Sequence, residues 1–500
     1  MKRSLSWSAT VAACMAMATA AGCANSPGGA RNGVALTDFD GAAAERFGID
    51  PKEGGGACGS PDATPSVLPE HPTLDDCLRY AALNNQRLEA AFENWRAAQE
   101  TIAEARGLPD PKITYSYYIQ QVETRVGPQR QAVSVMQTFP GYGKLDAREA
   151  QADAAVAAAR ARYDAARRAL VAAVTAAYAE YYYLGRSIAV TEDNVKLLAN
   201  LESIAQAKQQ AGAASEASVI KAQVELDKLR DMLKTQQALA APLRARLNVA
   251  LGREVTAALS WPREIAGATI AADAATLQAD LAAHNPELAA LQASIAQAQA
   301  GVTVARRNFD PDVTVGLNWI DTGPARMPVA DSGQDAVVAS VGFNIPLWFN
   351  QYTAAVRENL ARAAAADHDR QDRALALQGD LQLALFQFHD AERKIRLYRD
   401  TLLPEAERSL ATLQASFTAN QADFLNLIDA ERTLLEFQLS YQRARADLVK
   451  QRAAIEALVG MDLPGQPEQG MAANEPTPAP SPSVSPQRPP SSEGPAPKKP

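Results

Sequence analysis

Between Lys112 and Ile119 the chain alternates with period two. Ile113, Tyr115, Tyr117 and Ile119 fall on one side, Thr114 and Ser116 on the other. Gln131–Phe139 continues the pattern, with Val133, Val135 and Phe139 opposed to Ser134 and Thr138. About 200 residues later it returns. Val313, Val315, Leu317 and Trp319 alternate with Thr314, Gly316 and Asn318, and Val337, Ala339, Val341, Phe343 and Ile345 with Ser340, Gly342 and Asn344. Such alternation predicts two strand pairs, each with one apolar and one polar face.

Around the strands the period lengthens to that of a helix. Thr73 with Asp76 makes an N-terminal capping pair for a helix expected to run unbroken to about Arg106, ahead of Pro109 and Pro111. From Leu145 to Ala211 there is no proline and only Gly185 to weaken the helix; its length is roughly 100 Å. Gly212 breaks it, and a shorter helix returns from about Glu216 to Leu251. The second long helix is expected from about Thr353 to Phe417 with a kink at Pro404. Asn420 stands in the place of Gly212, and the second return helix spans about Phe424 to Val459.

The order helix, hairpin, long helix, return helix therefore occurs twice. N-N-Q-R-L (84–88) pairs with H-N-P-E-L (284–288), Arg106 with Arg306, and Asp110-Pro111 with Asp310-Pro311. A period this long marks a duplicated architecture: repeats at 73–275 (hairpin 112–139) and 276–461 (hairpin 312–345). Each short helix covers about half a long one. Two stacked end to end match it, with residues 252–275, including Trp261-Pro262, and the segment after Gly460 at the waist.

Composition sharpens this picture. The hydrophobic share is 47% but aromatics are 6%, and alanine dominates. Alanine favours helix and close helix approach, yet such helices lack the bulk to cover an apolar sheet. The apolar faces therefore read as lipid-facing, in tilted transmembrane strands around a wet interior. Four strands cannot close a barrel, and an open edge in lipid is costly. Identical subunits must pool strands.

The net charge of −8 gives no basic footprint for nucleic acid. Lys2-Arg3 and the apolar stretch to Ala21 read as a signal peptide over 1–22. Cys23 in A-A-G-C (20–23) is the favoured lipidation site, Cys14 a second candidate, and an ordinary cleaved signal the alternative. Residues 23–72 read as a tether and 462–500, rich in Pro, Ser and Gln, as a disordered tail. Cys58 and Cys77 are open to either a disulfide or two unpaired thiols. His368 between Asp367 and Asp369 has helical neighbours pointing apart, so it reads as a surface residue and not a metal ligand. Tyr178 and Tyr181–Tyr183 read as helix packing. No nucleophile elbow, phosphate loop or catalytic acid pair is evident, so neither an enzyme nor a cofactor is expected.

With these elements in place, the chain resembles the bacterial outer-membrane efflux proteins, the TolC-like family. The resemblance covers residues 73–460. It rests on the duplicated plan, on Q-T-F-P-G-Y-G-K (137–144), on L-P-E-A-E-R-S-L (403–410) and on F-L-N-L-I-D-A-E-R-T-L (424–434). The lipobox-like Cys23 is similar to the lipoprotein branch serving drug or heavy-metal efflux. The resemblance implies a homotrimer, mainly α, whose twelve pooled strands form a transmembrane β-barrel in outer-membrane lipid above a long α-helical barrel. It also implies a periplasmic adaptor and an inner-membrane pump of resistance-nodulation-division type.

Carried onto this chain, the family's acidic constriction falls on Asp429 and Asn426, one helical turn apart. Asn426 departs from the doubly acidic pattern, and pairing of Asp429 with Arg432 is the alternative. The adaptor-contact tips fall on Gly212, Ala213 and Ser215 and on Asn420 and Gln421. Small residues at Ala217, Ser218 and Ala422 imply a closed tip resting on packing more than on ion pairs. A protein-secretion conduit and a periplasmic coiled-coil adaptor are the rival readings.

Overall fold

The structure, a computed structural model, describes residues 68–212, 215–265, 268–419 and 421–467. The signal, Cys23, Cys58, nearly all of the tether, and 468–500 lie outside these residues.

The first repeat opens with α1 (Leu74–Asn84) and α2 (Gln86–Arg106). Thr73 and Asp76 form the expected capping box. The expected single helix is interrupted at Asn85, whose extended backbone frees its side chain for two tasks. Its Oδ1 accepts from the N–H groups of Arg87 and Leu88, starting α2, and its Nδ2 donates to the Ala250 carbonyl at 3.0 Å. The second repeat repeats the joint. Asn285 separates α5 (Ala274–His284) from α6 (Pro286–Arg307), accepts from Leu288 N–H, and donates to the Leu458 carbonyl at 2.7 Å.

Two hairpins follow their short helices: β1 (Lys112–Thr124) with β2 (Gly127–Phe139), and β4 (Val313–Thr322) with β5 (Ala336–Phe343). They join through β2 and β4 into one antiparallel sheet of order β1-β2-β4-β5. Below it run α3 (Lys144–Gln210), 67 residues long and so about 100 Å, and the return helix α4 (Glu216–Leu251).

The second long helix is α7 (Phe349–Leu397) followed by α8 (Leu403–Thr418), and it returns as α9 (Phe424–Val459). The irregularity expected at Pro404 takes the form of one π-helical turn, Tyr398–Leu402, just before it. Proline has no N–H to close an ordinary turn, and one wider turn takes up the mismatch without ending the helix.

Packing fixes the lateral order. Toward the sheet, α2, α3, α6 and α7 lie side by side; toward the far end α4 joins α3, α3 joins α9, and α9 joins α7 and α8. At the waist, β3 (Ala268–Ile270) pairs with β6 (Gly465–Pro467), so the waist reaches past residue 461 into the segment expected as tail. The tyrosines pin this waist. Tyr178 and Tyr181 hydroxyls donate to the carbonyls of Glu264 and Leu259, and Trp261 stacks on Tyr181 with ring centroids 4.4 Å apart. Cys77 is a free, fully buried thiol in this cluster, and burial pushes it up to about 12.

Candidate functional site

The register of the sheet assembles a single apolar face from four strands. Ile113 stands opposite Val135, Val135 opposite Leu317, and Leu317 opposite Ala339. The neighbouring row runs Tyr115, Val133, Trp319, Val337. No protein covers it among the described residues: Ile113 is 70% exposed, Tyr117 66% and Val341 62%. An apolar patch this broad marks an interface with lipid or protein. The other face carries Ser134, Thr314, Gly316 and Ser340, with Thr138 and Thr314 hydroxyls 3.0 Å apart. Among the described residues no helix is both long and apolar enough to cross a membrane.

Where sheet meets helices, Q-T-F-P-G-Y-G-K ends on the buried Lys144. Its ammonium lies 2.7 Å from Asp312, which also accepts from Gly141 N–H at 2.8 Å and from Asn344 at 3.0 Å. One carboxylate thus ties the exit of the first hairpin to both ends of the second. Arg106 pairs with Glu149 beside it.

At the far end, the α3–α4 and α8–α9 hairpins pack around one apolar cluster. It includes Leu198, Leu201, Leu226, Leu410, Phe417, Phe424, Leu427 and Ile428. The turns are closed by local chemistry: Ser215 caps α4 by accepting from Ser218 N–H, Gly212 has φ +74°, and Gln421 N–H donates to Ser416. Gly212, Ser215 and Gln421 are exposed; Ala213 and Asn420 fall outside the described residues. Ala217 is exposed and Ala422 packs on the cluster.

Polar links between the hairpins come from other residues. Lys208 donates to the terminal carbonyls of α8 at Phe417 and Thr418 and lies 4.3 Å from the centre of the Phe417 ring. A cation there complements the negative end of the helix.

Asp429 and Asn426 are both exposed on α9. The pairing of Asp429 with Arg432 does not occur: Arg432 turns to Glu225 of α4 at 3.7 Å. Five helical turns along the same face stands Asp447. There Arg443 makes two bonds to Glu180 of α3, at 2.8 and 3.1 Å, and Lys450 a third at 3.2 Å. Burial pulls the Glu180 carboxyl up, but Arg443 and Lys450 outweigh it and hold it below the usual carboxylate range. A groove of about 690 Å3 opens here, lined by Tyr183, Asp390, Lys394, Tyr398, Arg443 and Lys450 among others. Among the described residues no three His, Cys, Asp or Glu side chains are grouped to hold a metal.

A sheet with one face for lipid and one for water, set on rods far longer than a bilayer is thick, defines a membrane-embedded duct with an aqueous extension. The chain belongs to the outer membrane efflux protein family, whose model matches residues 78–253 and 277–461, once in each repeat. It is therefore an outer-membrane efflux channel and not an enzyme. Among solved structures it is similar to the outer-membrane channel OprN (TM-score 0.67, 20% identity, 79% of this chain and 93% of that one covered). It is also similar to CusC (0.67, 13%, 78% and 92%). A third likeness is to VceC from Vibrio cholerae (0.65, 18%, 78% and 96%). At these identities the likeness is one of fold. No curated protein sequence matches the chain.

Proposed function

We propose that three copies of this chain form the exit duct of a tripartite efflux system, passing small toxic solutes (drugs or metal cations) out of the periplasm. One observation carries the reading. The open sheet edges, β1 and β5, lie on the same two sides as the open edges of the helical wall. β1 continues from α2, below which α4 takes its place on the wall, and β5 continues into α7. A neighbour that completes the sheet therefore also completes the wall, so ring closure satisfies both at once.

The helical edges are dressed for such a neighbour. On α7, Leu375, Leu383 and Phe386 are 56–68% exposed, and on α4, Ile220, Val224 and Leu239 are 45–53% exposed. Three copies supply twelve strands, a size that leaves an aqueous lumen.

Asp429, repeated by symmetry, forms an acidic constriction near the tip with Asn426 a turn away, and such a ring favours cations. The turns containing Gly212, Ala213, Ser215, Asn420 and Gln421 present the surface for a periplasmic adaptor, which joins the duct to an inner-membrane pump of resistance-nodulation-division type. Cys23, lipidated, adds a second attachment to the barrel.

Deleting the gene and measuring growth inhibition by dyes, antibiotics and metal salts tests the reading. Greater sensitivity, reversed by the full chain, is expected. Unchanged sensitivity with a secreted protein missing from the medium contradicts it and favours a protein-secretion conduit.

A further inference from the structure

One buried carboxyl at the tip is unexplained by the apolar packing and by the acidic constriction alike. Glu431 lies on the inward face of α9, in phase with Phe424, Leu427, Ile428 and Leu434. It is 1% exposed, and its Oε1 meets no hydrogen-bond partner. From the other hairpin comes Glu225 of α4, itself 6% exposed. Lys228 on its own helix, at 3.1 Å, and Arg432 of α9, at 3.7 Å, pair with the Glu225 carboxylate. The two glutamates thus meet where the hairpins meet, and the cations serve Glu225.

An ionised carboxylate without donors in such a place is costly, whereas a neutral carboxyl is tolerated. Burial, aided by the charge of Glu225 and opposed by Arg432, raises Glu431 to about 7. Those two are the charges that bear on it. The helices α3 and α8 close the same cluster with Leu198, Leu201, Ala406 and Leu410 and add no charge that shifts it. The sign follows from the raised value. Packing is undisturbed below pH about 4.5, the ordinary value, and is progressively penalised as pH climbs through about 7.

We propose that Glu431 and Glu225 form a proton-sensitive latch between the two tip hairpins. With Glu431 protonated the α4–α9 seam stays packed and the tip narrow; with it ionised, two buried carboxylates face each other, water enters, and the tip widens. The opposing α8 carbonyl contacts of Lys208 limit how far it opens. The latch regulates the duct proposed above and rests on that reading.

Two measurements on the purified full chain keep the latch and the duct separable. Hydrogen exchange of residues 216–230 and 424–435, corrected for the intrinsic base-catalysed rate, reads the seam. Conductance in planar lipid bilayers reads the tip. Between pH 5.5 and 8.5 both are expected to rise with a midpoint near 7. Glu431→Gln is expected to remove the step and stay at the low-pH level, and Glu225→Gln to move the midpoint to lower pH. Exchange that is flat across this range, or a step that survives Glu431→Gln, overturns the latch and leaves the duct standing. An exchange step in a chain that never conducts supports the carboxyl pair and overturns the duct.

Discussion

Asp429 shows what a single side chain can do in this architecture. It is exposed, it makes no ion pair among the described residues, and the cation that its spacing offered, Arg432, is spent on Glu225. In the proposed trimer such a carboxylate would be repeated three times in a narrow passage and would set a negative field that water screens poorly. Replacing it by Asn is expected to reduce the cation-over-anion permeability ratio severalfold, read as a reversal potential across a salt gradient. An unchanged ratio would place Asp429 outside the conduction path. The neighbouring Glu431 lies on the apolar stripe from Phe424 to Leu434, but one carboxylate among mixed helical charges did not stand out from the sequence. Nor did its partner: Glu225 belongs to another helix, and periodicity within one segment carries no information about which segment faces it.

At the scale of elements, the joints at the waist explain the repeated asparagine motif. N-N-Q-R-L and H-N-P-E-L are the two places where an asparagine ends one helix, begins the next and holds a carbonyl of the return helix. The return helices end opposite these joints on Gly252 (φ +76°) and Gly460 (φ +86°). There a Cβ would come within 2.4 Å of the Asn84 carbonyl oxygen and 2.3 Å of the His284 carbonyl oxygen. Ala at either position is expected to cost about 1–3 kcal/mol from backbone strain alone, with the clash added. Thermal melts of both variants check this, and a Gly252→Ala protein as stable as the unaltered chain contradicts it.

The helix and strand order was legible because each period persisted for many residues. The break at Asn85 was not, since it depends on Ala250, 165 residues away; at Pro404 an irregularity was expected, but not its form, the π-helical turn Tyr398–Leu402. β5 stops at Phe343, short of the expected Ile345, because Asn344 turns to Asp312. β1 runs on past Ile119 to Thr124 after a shift of register between Tyr117 and Val122.

For the whole molecule, the decisive property is what the single chain leaves unfinished. Its sheet has two free edges, its outer strand face is apolar and bare, and its helical wall ends on exposed leucines and Phe386. Phe386→Glu places a charge on the edge expected to meet a neighbour and should shift the detergent-extracted protein from trimer toward monomer, as light scattering after gel filtration would show. A trimer of unchanged stability would move the subunit seam elsewhere. The most direct test concerns the sheet itself. Spin labels placed singly at Val135, Leu317 and Val341, and at Ser134, Thr314 and Ser340, report on opposite faces in reconstituted membranes. The first three are predicted to collide with oxygen dissolved in lipid and the second three with a water-soluble nickel chelate. Both sets shielded from both agents, as inside a compact soluble core, would contradict a lipid-embedded channel.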